Sequence, residues 1–365
     1  MNHNPTVLEI HSKALIHNLN YFRSKLHEGA SVMAVVKASG YGSDAVMIAK
    51  TMVDQGIDYL AVAYADEGIL LRKNKIDVPI LVLHPQVENL DLMLDHDLEP
   101  NIYSFHILNH FLELVKKAKY ETYPCHLKFN TGLNRLGFST NDVPKLNNKL
   151  SQFQRVKIRS VFSHLMASED PNEKEFTLGQ IHEFRKASSA FSQLLGYSPL
   201  RHMTNTSGIL NYREAHFDMV RLGLGLYGFS NDPTIDKELL CAIRLSTRIS
   251  QIHTLNKGDN LGYNRGFTAS RTMRTATLPI GHADGLFRAY GGKLAFNVHG
   301  EKAPLVGNVC MDMIMIDITD IACKEGDEVV LIQDQNDVLQ MAKAASTISY
   351  EILTSFSNRI RRVLV

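Results

Sequence analysis

The chain has 365 residues, 44% of them hydrophobic, which is enough to bury a large core and to form two domains or one barrel with a smaller module. Its 39 Lys and Arg residues nearly balance its 38 Asp and Glu residues, and the formal net charge is +1. This balance gives no electrostatic reason to expect a nucleic acid or an anionic membrane as a partner, and it favours a small molecule.

Cysteine usage and hydropathy predict the compartment. The four cysteines, at positions 125, 241, 310 and 323, lie too far apart to suggest a redox or zinc motif, so no metal site is predicted. The chain opens on a polar segment, without the charged and apolar leader of a secreted protein. No apolar run approaches the ~18–20 residues of a membrane-spanning helix. We therefore expect a soluble, cytoplasmic protein.

From residue 32 onward, short apolar segments alternate with amphipathic helical segments. The predicted strands are 32–37, 59–63, 79–83, 99–103, 124–130, 156–164, 201–205 and 218–222. The predicted helices include 46–55, 65–73, 105–117 and 173–195. This alternation is typical of parallel βαβ units in an α/β protein, and eight strands is the number that closes a (β/α)₈ TIM-type barrel. A doubly wound open sheet is the alternative, but no GxGxxG segment follows the first strand.

After residue 233 the pattern changes to strands separated by short turns. The predicted strands are 241–255, 275–280, 293–298, 309–318, 328–332 and 361–365. A helix is predicted at 347–356, and turns at 257–260, 299–302 and 325–327. Long alternating segments joined by such turns are typical of a mainly antiparallel β domain. We therefore predict a barrel domain of residues 1–233 and a C-terminal β domain of residues 234–365.

The first predicted barrel strand ends in a lysine. The apolar run that begins at Val32 stops at Lys37, and Gly40 and Gly42 follow before a helix. Lysine is rarely buried without a partner. Either its side chain extends along the strand edge to solvent, or it lies in a desolvated pocket where its pKa falls and it can form a Schiff base. Spacing alone leaves both interpretations open.

Other predicted strands also end in polar residues. The residues at these ends are Lys37, His84, Lys128, Asn130, His164, Asn205 and Arg221. Each has a structural alternative: His164 could satisfy a core carbonyl, and Asn205 could cap the next helix. In an α/β barrel, however, chemistry is carried at the carboxyl ends of the strands. Several polar residues converging on that rim therefore indicate a binding site.

Two segments near the last barrel strands are suited to bind phosphate. Residues 205–208 (NTSG) begin a helix-like segment, whose hydroxyls and free N–H groups can bind an anion. Gly223 and Gly225 allow the backbone to approach the same anion closely. A phosphate site after strands 7 and 8 is a recurrent feature of such barrels. Together with Lys37 on the first strand, it suggests pyridoxal phosphate, an aldehyde with a phosphate group.

With these residues in place, the chain resembles the alanine racemase family, bacterial type, over almost its whole length. The matching segments are 34–42 (AVVKASGYG), 127–138 (LKFNTGLNRLGF), 163–164 (SH), 202–206 (HMTNT), 220–228 (VRLGLGLYG), 279–285 (PIGHADG), 309–312 (VCMD) and 347–353 (TISYEIL). The resemblance implies a pyridoxal 5'-phosphate barrel followed by a β domain, in a head-to-tail homodimer with shared active sites. It also implies interconversion of L- and D-alanine, which supplies D-alanine for cell-wall peptidoglycan.

The resemblance also implies roles for the catalytic residues. Lys37 resembles the lysine that binds the cofactor as a Schiff base and acts as one catalytic base. Tyr263 resembles the opposing base, which reaches the site from the partner subunit. Arg221 would bind the pyridine nitrogen, and His164 would link Arg221 to Tyr263.

The remaining site residues follow from the same resemblance. The residues expected to bind the cofactor phosphate are Tyr41, Asn205, Thr206, Gly223 and Tyr350. Those expected to seat the substrate carboxylate are Arg135 and the backbone of Met311. Lys128 matches a lysine that is carbamylated in many members of the family.

Three positions depart from the family pattern. His282 stands where the PIGYADG motif has a tyrosine, Asn130 where an aspartate is usual, and Thr206 where a serine is usual. Thr206 keeps a hydroxyl, so we expect phosphate binding to survive. His282 is the change that we expect to affect substrate size or pH dependence.

Three other functions are weighed against an alanine racemase. A racemase for another amino acid, such as serine or lysine, or for a broad range would use the same chemistry. A decarboxylase or aldolase on a similar barrel is disfavoured by the VCMD segment and by Tyr263. A protein that carries pyridoxal phosphate without catalysis is disfavoured by the second domain.

Overall fold

Eight parallel strands form a nearly closed barrel. The computed structural model describes residues 4–117, 121–153 and 155–365. The barrel strands are Ser31–Val35, Tyr59–Val62, Ile80–Val82, Glu99–Ile102, Tyr123–Lys128, Val156–Phe162, Leu200–His202 and Met219–Leu222. The first seven pair with one another in chain order, and the first also pairs with the eighth. The remaining gap, between the seventh and eighth strands, is bridged by the backbone hydrogen bonds Asp218 N to Arg201 O and Arg221 N to Thr204 O, of 3.0 and 3.2 Å.

Helices cover the outside of the barrel. They are Ser12–Lys25, Ala45–Asp54, Ala65–Lys73, Leu90–Asp95, Phe105–Lys117, Val143–Leu150, Lys174–Leu195 and Thr206–Asn211. Their apolar residues recur every three or four positions and face the strands, as Ile107, Leu108, Phe111 and Val115 do in one of them. Across the described residues, none of the helices has both the length and the apolar character needed to cross a membrane.

All eight predicted barrel strands are confirmed, but most of them end earlier than predicted. The strand predicted to reach Lys37 ends at Val35, and the one predicted to reach His164 ends at Phe162. The chain leaves the sheet at these points because the polar residues belong to the loops of the barrel rim. The α/β barrel itself is as predicted.

A buried asparagine attaches the first helix to the barrel. Asn18, on the helix Ser12–Lys25, donates to Leu226 O at 3.0 Å and to Leu240 O at 2.7 Å. Its Oδ1 accepts from Leu240 N at 2.8 Å, and its side chain is fully buried. The helix also packs on Ala45–Asp54, and Phe22 fills the space left by Gly225. This helix, which we did not predict, therefore covers the barrel beside its last strand.

The second domain is a nine-stranded sheet. In spatial order its strands are Gln251–Leu255, Met273–Leu278, Ile314–Asp317, Glu301–Val306, Ala295–Val298, Glu328–Ile332, Ile243–Arg248, Val7–Ile10 and Arg361–Leu364. All neighbours are antiparallel except the last pair, which is parallel, so the sheet is mainly antiparallel as predicted. The boundary at residue 233 stays a prediction, although Val7–Ile10, which that prediction counted with the barrel, pairs with this sheet.

Several details of this domain differ from the prediction. The segment 241–255 is two strands, because the chain turns between Arg248 and Gln251. Of the segment 309–318, only Ile314–Asp317 is a strand, since Cys310 N bonds to Met313 O in a turn. The helix Gln335–Ala345 and the strand Glu301–Val306 were not predicted, whereas the helix Ser349–Thr354 was.

We expect Asn18→Ala to lower the free energy of unfolding by about 2–3 kcal/mol, because it removes three hydrogen bonds of a fully buried side chain and leaves the buried carbonyl of Leu226 without this partner. Asn148, whose side chain is exposed on the helix Val143–Leu150, is the matched control. Asn148→Ala should change stability by less than about 0.5 kcal/mol. Chemical denaturation of both variants measures the difference, and equal effects would contradict the proposed attachment.

Candidate active site

A cavity of about 460 Å³ opens at the carboxyl ends of the barrel strands. The predicted site residues that line it are Lys37, Tyr41, Lys128, Arg135, His164, Asn205, Thr206, Arg221, Gly223 and Tyr350. Tyr350 comes from the second domain, on the helix Ser349–Thr354. The cavity is therefore built by both domains. Its position agrees with the general location of barrel active sites.

A left-handed turn follows Lys37 and directs the chain around the cavity. Residues 38–42 all have positive φ values, between 52° and 78°. Such a backbone costs on the order of 1–3 kcal/mol at each non-glycine residue, so it persists only where the surroundings enforce it. The bonds Gly40 N to Val36 O and Gly42 N to Ala38 O, of 3.0 and 2.8 Å, close the turn. The turn brings the side chains of Lys37 and Tyr41 to the same cavity.

Glu67 holds this turn against the second barrel strand. Its Oε1 accepts from Ala38 N at 2.6 Å, and its Oε2 accepts from Ala63 N at 2.6 Å and from Tyr64 N at 3.2 Å. Glu67 lies outside the motifs found in the sequence, and we did not predict it as a site residue. Its carboxylate fixes the backbone beside Lys37 and supplies a negative charge to the cavity wall.

Lys37 is a partly buried amine beside other cations. Burial, and then the charges of Arg135 and Arg221, lower its pKa from the usual value, while Glu67 acts in the opposite direction. A lowered pKa increases the fraction of neutral amine, which is the nucleophilic and proton-accepting form. The structure therefore favours the desolvated pocket over the exposed strand edge as the environment of Lys37.

Lys128 is the second lysine of the cavity, and it is buried. Burial lowers its pKa to about 7, and the charges of Arg221, Arg135 and Lys37 contribute to this shift. Its Nζ lies 5.7 Å from the centre of the Phe162 ring. Near neutral pH, Lys128 is therefore divided between its charged and neutral forms.

Arg221 is held by four acceptors. Its Nη2 donates to Ser163 O at 2.7 Å, to His164 Nδ1 at 2.9 Å and to Met203 O at 3.1 Å. Its Nη1 donates to His202 Nδ1 at 2.6 Å. Burial lowers its pKa to about 9, which still leaves it cationic at neutral pH. Its Nε carries no hydrogen bond to the described residues and is left to donate to a ligand.

The tautomer of His164 follows from its bond to Arg221. A guanidinium only donates, so Nδ1 of His164 is an acceptor. Burial and the neighbouring cations lower the pKa of His164 well below its usual value, so the ring is neutral. Its proton therefore lies on Nε2, which is a hydrogen-bond donor.

The hydroxyl groups predicted to bind phosphate lie close to one another. The rings of Tyr41 and Tyr350 are 6.2 Å apart, and Gly223 approaches Tyr41 so closely that a Cβ would lie 2.5 Å from its hydroxyl oxygen. Thr206 Oγ1 accepts from Gly225 N at 3.1 Å. Burial raises the pKa of Tyr41, so its hydroxyl keeps its proton and can donate to an anion.

Asn205 and Arg135 differ in whether their polar groups already have hydrogen-bond partners in the protein. Asn205 caps the helix Thr206–Asn211, because its Oδ1 accepts from Gly208 N at 2.9 Å, and it also accepts from Ser168 Oγ at 2.8 Å. Asn205 therefore caps the next helix, and it also lines the cavity. Arg135 has no hydrogen bond or ion pair to the described residues, so its guanidinium is left for a ligand.

Tyr263 and Met311 do not reach this cavity within the same chain. They line a separate surface depression of the second domain. Tyr263 is 75% exposed and Met311 is 58% exposed. Tyr263 follows Gly262, at the end of the short hairpin Asn260–Leu261 and Phe267–Thr268. The hairpin therefore presents the tyrosine outward.

His282 is placed beside the Met311 segment. The backbone N–H of His282 donates to Cys310 O at 2.9 Å, and that of Ala283 donates to Met311 O at 3.0 Å. Gly281 is required here, because a Cβ would collide with the carbonyl oxygen of Met311. The residue that departs from the family pattern therefore belongs to the exposed face that carries Met311.

Two lysines with lowered pKa values, two arginines and a set of hydroxyl and amide donors line one cavity at the carboxyl end of a (β/α)₈ barrel, which is where the active sites of barrel enzymes lie. The fold and the site therefore assign the protein to the class of barrel enzymes.

Residues 10–231 match the family described as "Alanine racemase, N-terminal domain", and residues 242–364 match "Alanine racemase, C-terminal domain". An alanine racemase of Thermodesulfovibrio yellowstonii is 36% identical over 97% of this chain and 96% of its own. One from Clostridium novyi is 34% identical over 99% and 95%. The solved alanine racemase of Clostridium difficile superposes with a TM-score of 0.93 at 31% identity, covering 99% and 96% of the two chains. The chain belongs to the alanine racemase family and is an enzyme of that family.

The lowered pKa of Lys128 predicts a pH-dependent cost in stability. The unfolded chain binds a proton at Lys128 up to its usual pKa of about 10.4, whereas the folded chain releases it near 7, so between these values stability rises with pH. In buffer free of carbon dioxide, Lys128→Met should therefore raise the melting temperature at pH 6, and the gain should shrink toward pH 9–10.

Lys50→Met is the control for this measurement, because Lys50 is exposed on the helix Ala45–Asp54. It should leave the melting temperature unchanged at every pH. A Lys128→Met protein that melts at or below the wild-type temperature at pH 6 would contradict the buried, repelled lysine.

Proposed function

We propose that the protein racemises alanine by a two-base mechanism with pyridoxal 5'-phosphate as its cofactor. The observation that carries this proposal is the position of Lys37, a partly buried amine with a lowered pKa, in one cavity with phosphate-binding groups and with Arg221. Membership of the alanine racemase family supports the substrate and the reaction.

The residues of the cavity fit this cofactor. Tyr41, Tyr350 and Thr206 supply hydroxyl groups for a phosphate, and Gly223 leaves room for one beside Tyr41. Asn205 lines the same cavity. The unpaired Nε of Arg221 would donate to the pyridine nitrogen. Lys37 would hold the cofactor through its aldehyde carbon, and the cofactor would supply electron withdrawal to the α-carbon of a substrate whose amine replaces Lys37 there.

Arg221 would hold the ring without protonating it. A guanidinium whose pKa stays above neutral does not transfer its proton to a pyridine nitrogen. A ring that stays unprotonated withdraws fewer electrons, which limits side reactions such as transamination. We therefore assign Arg221 to orientation and to control of the reaction's outcome.

Two bases on opposite faces can remove an α-proton and return one without turning the substrate over. Lys37 is the base on one face, since its lowered pKa supplies neutral amine. Tyr263 is proposed for the other face, and it would come from a partner subunit, because it is exposed and does not reach the cavity of its own chain. A homodimer with shared active sites follows from this assignment.

His164 would link Arg221 to Tyr263 through hydrogen bonds. Its Nδ1 accepts from Arg221, so its Nε2–H is a donor available to the phenol oxygen of Tyr263. Hydrogen bonding to the phenolate favours deprotonation of a tyrosine, whose ordinary pKa of about 10 is too high for a base at neutral pH. His164 would thus tune Tyr263.

The substrate carboxylate would lie against the free guanidinium of Arg135 and the backbone of Met311 from the partner. Lys128, partly neutral near pH 7, has the form of amine that reacts with carbon dioxide, and we propose that it is carbamylated. A carbamate would replace one positive charge of the cavity with a negative one beside Arg135. This change would remove the repulsion between the Lys128 ammonium and the neighbouring charges of Arg221, Arg135 and Lys37.

The biological setting is proposed from the same family. D-alanine made in the cytoplasm would supply peptidoglycan synthesis, and the absence of a disulfide among the described residues agrees with that compartment. A racemase of another amino acid, or of a broad range, is the second candidate, because His282 lies beside the Met311 segment. Chiral analysis of products from a panel of L-amino acids distinguishes the two.

For the two-base assignment, we expect Tyr263→Phe to slow α-hydrogen exchange with solvent by at least ~100-fold for one enantiomer of alanine, while the other still exchanges. Exchange into deuterated water, followed separately for each enantiomer, measures this effect. Tyr21→Phe, on a barrel helix outside both cavities, is the control and should exchange both enantiomers as the wild type does. Equal slowing of both enantiomers in Tyr263→Phe would reject the assignment.

For the shared site, we expect inactive Lys37→Ala and Tyr263→Phe proteins to restore activity to each other when their subunits are mixed. In a mixed dimer one site keeps both bases and the other keeps neither. Random exchange of equal amounts should therefore recover about a quarter of wild-type activity. Racemisation after mixing and incubation measures it, and the same mixture kept without subunit exchange is the control. No recovery after demonstrated exchange would place both bases in one chain.

A further inference from the structure

A line of buried polar side chains crosses the barrel interior, from the cavity to the fourth strand. Arg221 Nη1 bonds to His202 Nδ1 at 2.6 Å, and His202 Nε2 bonds to Ser160 Oγ at 2.8 Å. Ser160 Oγ bonds to His126 Nδ1 at 2.6 Å, and His126 Nε2 bonds to Glu99 Oε2 at 2.6 Å. Arg221 and Glu99 are 5% exposed, and the three residues between them are fully buried. We call these five residues the relay.

The direction of every hydrogen bond in the relay follows from its first member. Arg221 can only donate, so Nδ1 of His202 accepts and its neutral ring carries the proton on Nε2. Ser160 therefore accepts from His202, and its own hydroxyl proton is free to donate to His126 Nδ1. His126 then carries its proton on Nε2 and donates to Glu99. All four bonds point from the cation to the carboxylate.

The charges at the two ends agree with this direction. Burial raises the pKa of Glu99, but its hydrogen bond and electrostatic interaction with His126, the hydrogen bond from Tyr59 and the charge of Arg159 outweigh it, so the pKa lies below its usual value. Glu99 is therefore anionic. Burial and the charge of Arg221 lower the pKa of His202 well below its usual value, so this ring stays neutral between the two charges.

This arrangement separates the counter-charge of Arg221 from the cavity. A carboxylate in direct contact with Arg221 would place a negative charge beside the substrate. The relay instead places Glu99 on the other side of two histidines and a serine, while it still gives Arg221 an oriented acceptor at Nη1. Oriented acceptors on Nη1 and Nη2 leave Nε as the nitrogen without a protein partner.

We propose that Glu99 is a positioning residue of the reaction, which acts through His126, Ser160 and His202 to orient the guanidinium of Arg221. The inference rests on the proposed function, because Arg221 is given a role at the cofactor ring there. Without the relay, the Nε2–H of His202 is buried with no acceptor, and this cost competes with the bond from Arg221. His202 would then also populate the tautomer whose Nδ1–H faces Arg221, where two donors oppose each other. The guanidinium would then shift, although Arg221 is the one member of the relay that lines the cavity.

The first test uses the protein without cofactor. Nitrogen-15 NMR of the histidine rings distinguishes the Nε2–H tautomer from the Nδ1–H tautomer. In the wild type, His126 and His202 should both carry a proton on Nε2 and leave Nδ1 as the acceptor. Ser160→Ala, which removes only the central hydroxyl, should leave His202 as a mixture of tautomers. An Nδ1–H signal for either histidine in the wild type would overturn the relay.

The second test measures kinetics and uses Tyr59→Phe as a matched control. Tyr59 donates to the same Glu99 oxygen at 3.1 Å but lies outside the relay, so Tyr59→Phe should keep the tautomers and the rate. Ser160→Ala and Glu99→Gln should each lower kcat by ~10-fold with KM unchanged. Because both interrupt one relay, the double variant should lose no more than either single one.

Wild-type rates in Ser160→Ala and Glu99→Gln, or losses that multiply in the double variant, would overturn the positioning role. Circular dichroism of each variant verifies that it is folded. A wild-type enzyme that does not racemise alanine would instead reject the proposed function. The histidine spectra are recorded without substrate or cofactor, so they test the relay separately from that function.

Discussion

The concentration of positive charge at the mouth of the barrel is the constraint on which the site depends. Lys37, Lys128, Arg135 and Arg221 line one cavity, although the chain as a whole carries a net charge of only +1. Burial and mutual repulsion lower the pKa values of the two lysines, and this increases the fraction of each amine in its neutral, reactive form. The same charges make the cavity complementary to a phosphate and a carboxylate. Reactivity and binding therefore have one physical origin.

The second domain stabilises the strained turn that carries Lys37. Arg362, in the last strand, donates to Gly42 O at 2.9 Å and to Ser43 O at 3.1 Å. A Cβ at Gly42 would collide with the carbonyl oxygen of Leu353, so the two domains meet there at backbone distance. Residues far apart in the chain thus enforce a conformation that would otherwise relax. This contact explains why a barrel enzyme of this kind carries a β domain close against its first loop.

Particular residues show how far sequence patterns reach. The eight barrel strands were predictable because each is a short apolar run between turn signals. The cavity residues of the barrel were predictable because they follow strand ends or match the family's motifs. Glu67 and Glu99 were not predicted, because nothing local marks a carboxylate that binds backbone N–H groups or ends a hydrogen-bond relay. The strand Val7–Ile10 was missed since its partners, Ile243–Arg248 and Arg361–Leu364, are more than 200 residues away.

The sequence by itself determined the alternation of strands and helices, the order of the motifs and the presence of an amine and of groups suited to bind a phosphate, because these depend on local periodicity and on residue type. Only the tertiary structure decided which residues share a cavity. It separated Tyr263 from Lys37 within one chain, and it aligned inward-facing residues of neighbouring strands into the relay. The physical reason is that the partner of a buried polar group is set by strand register and barrel closure, which no local pattern specifies.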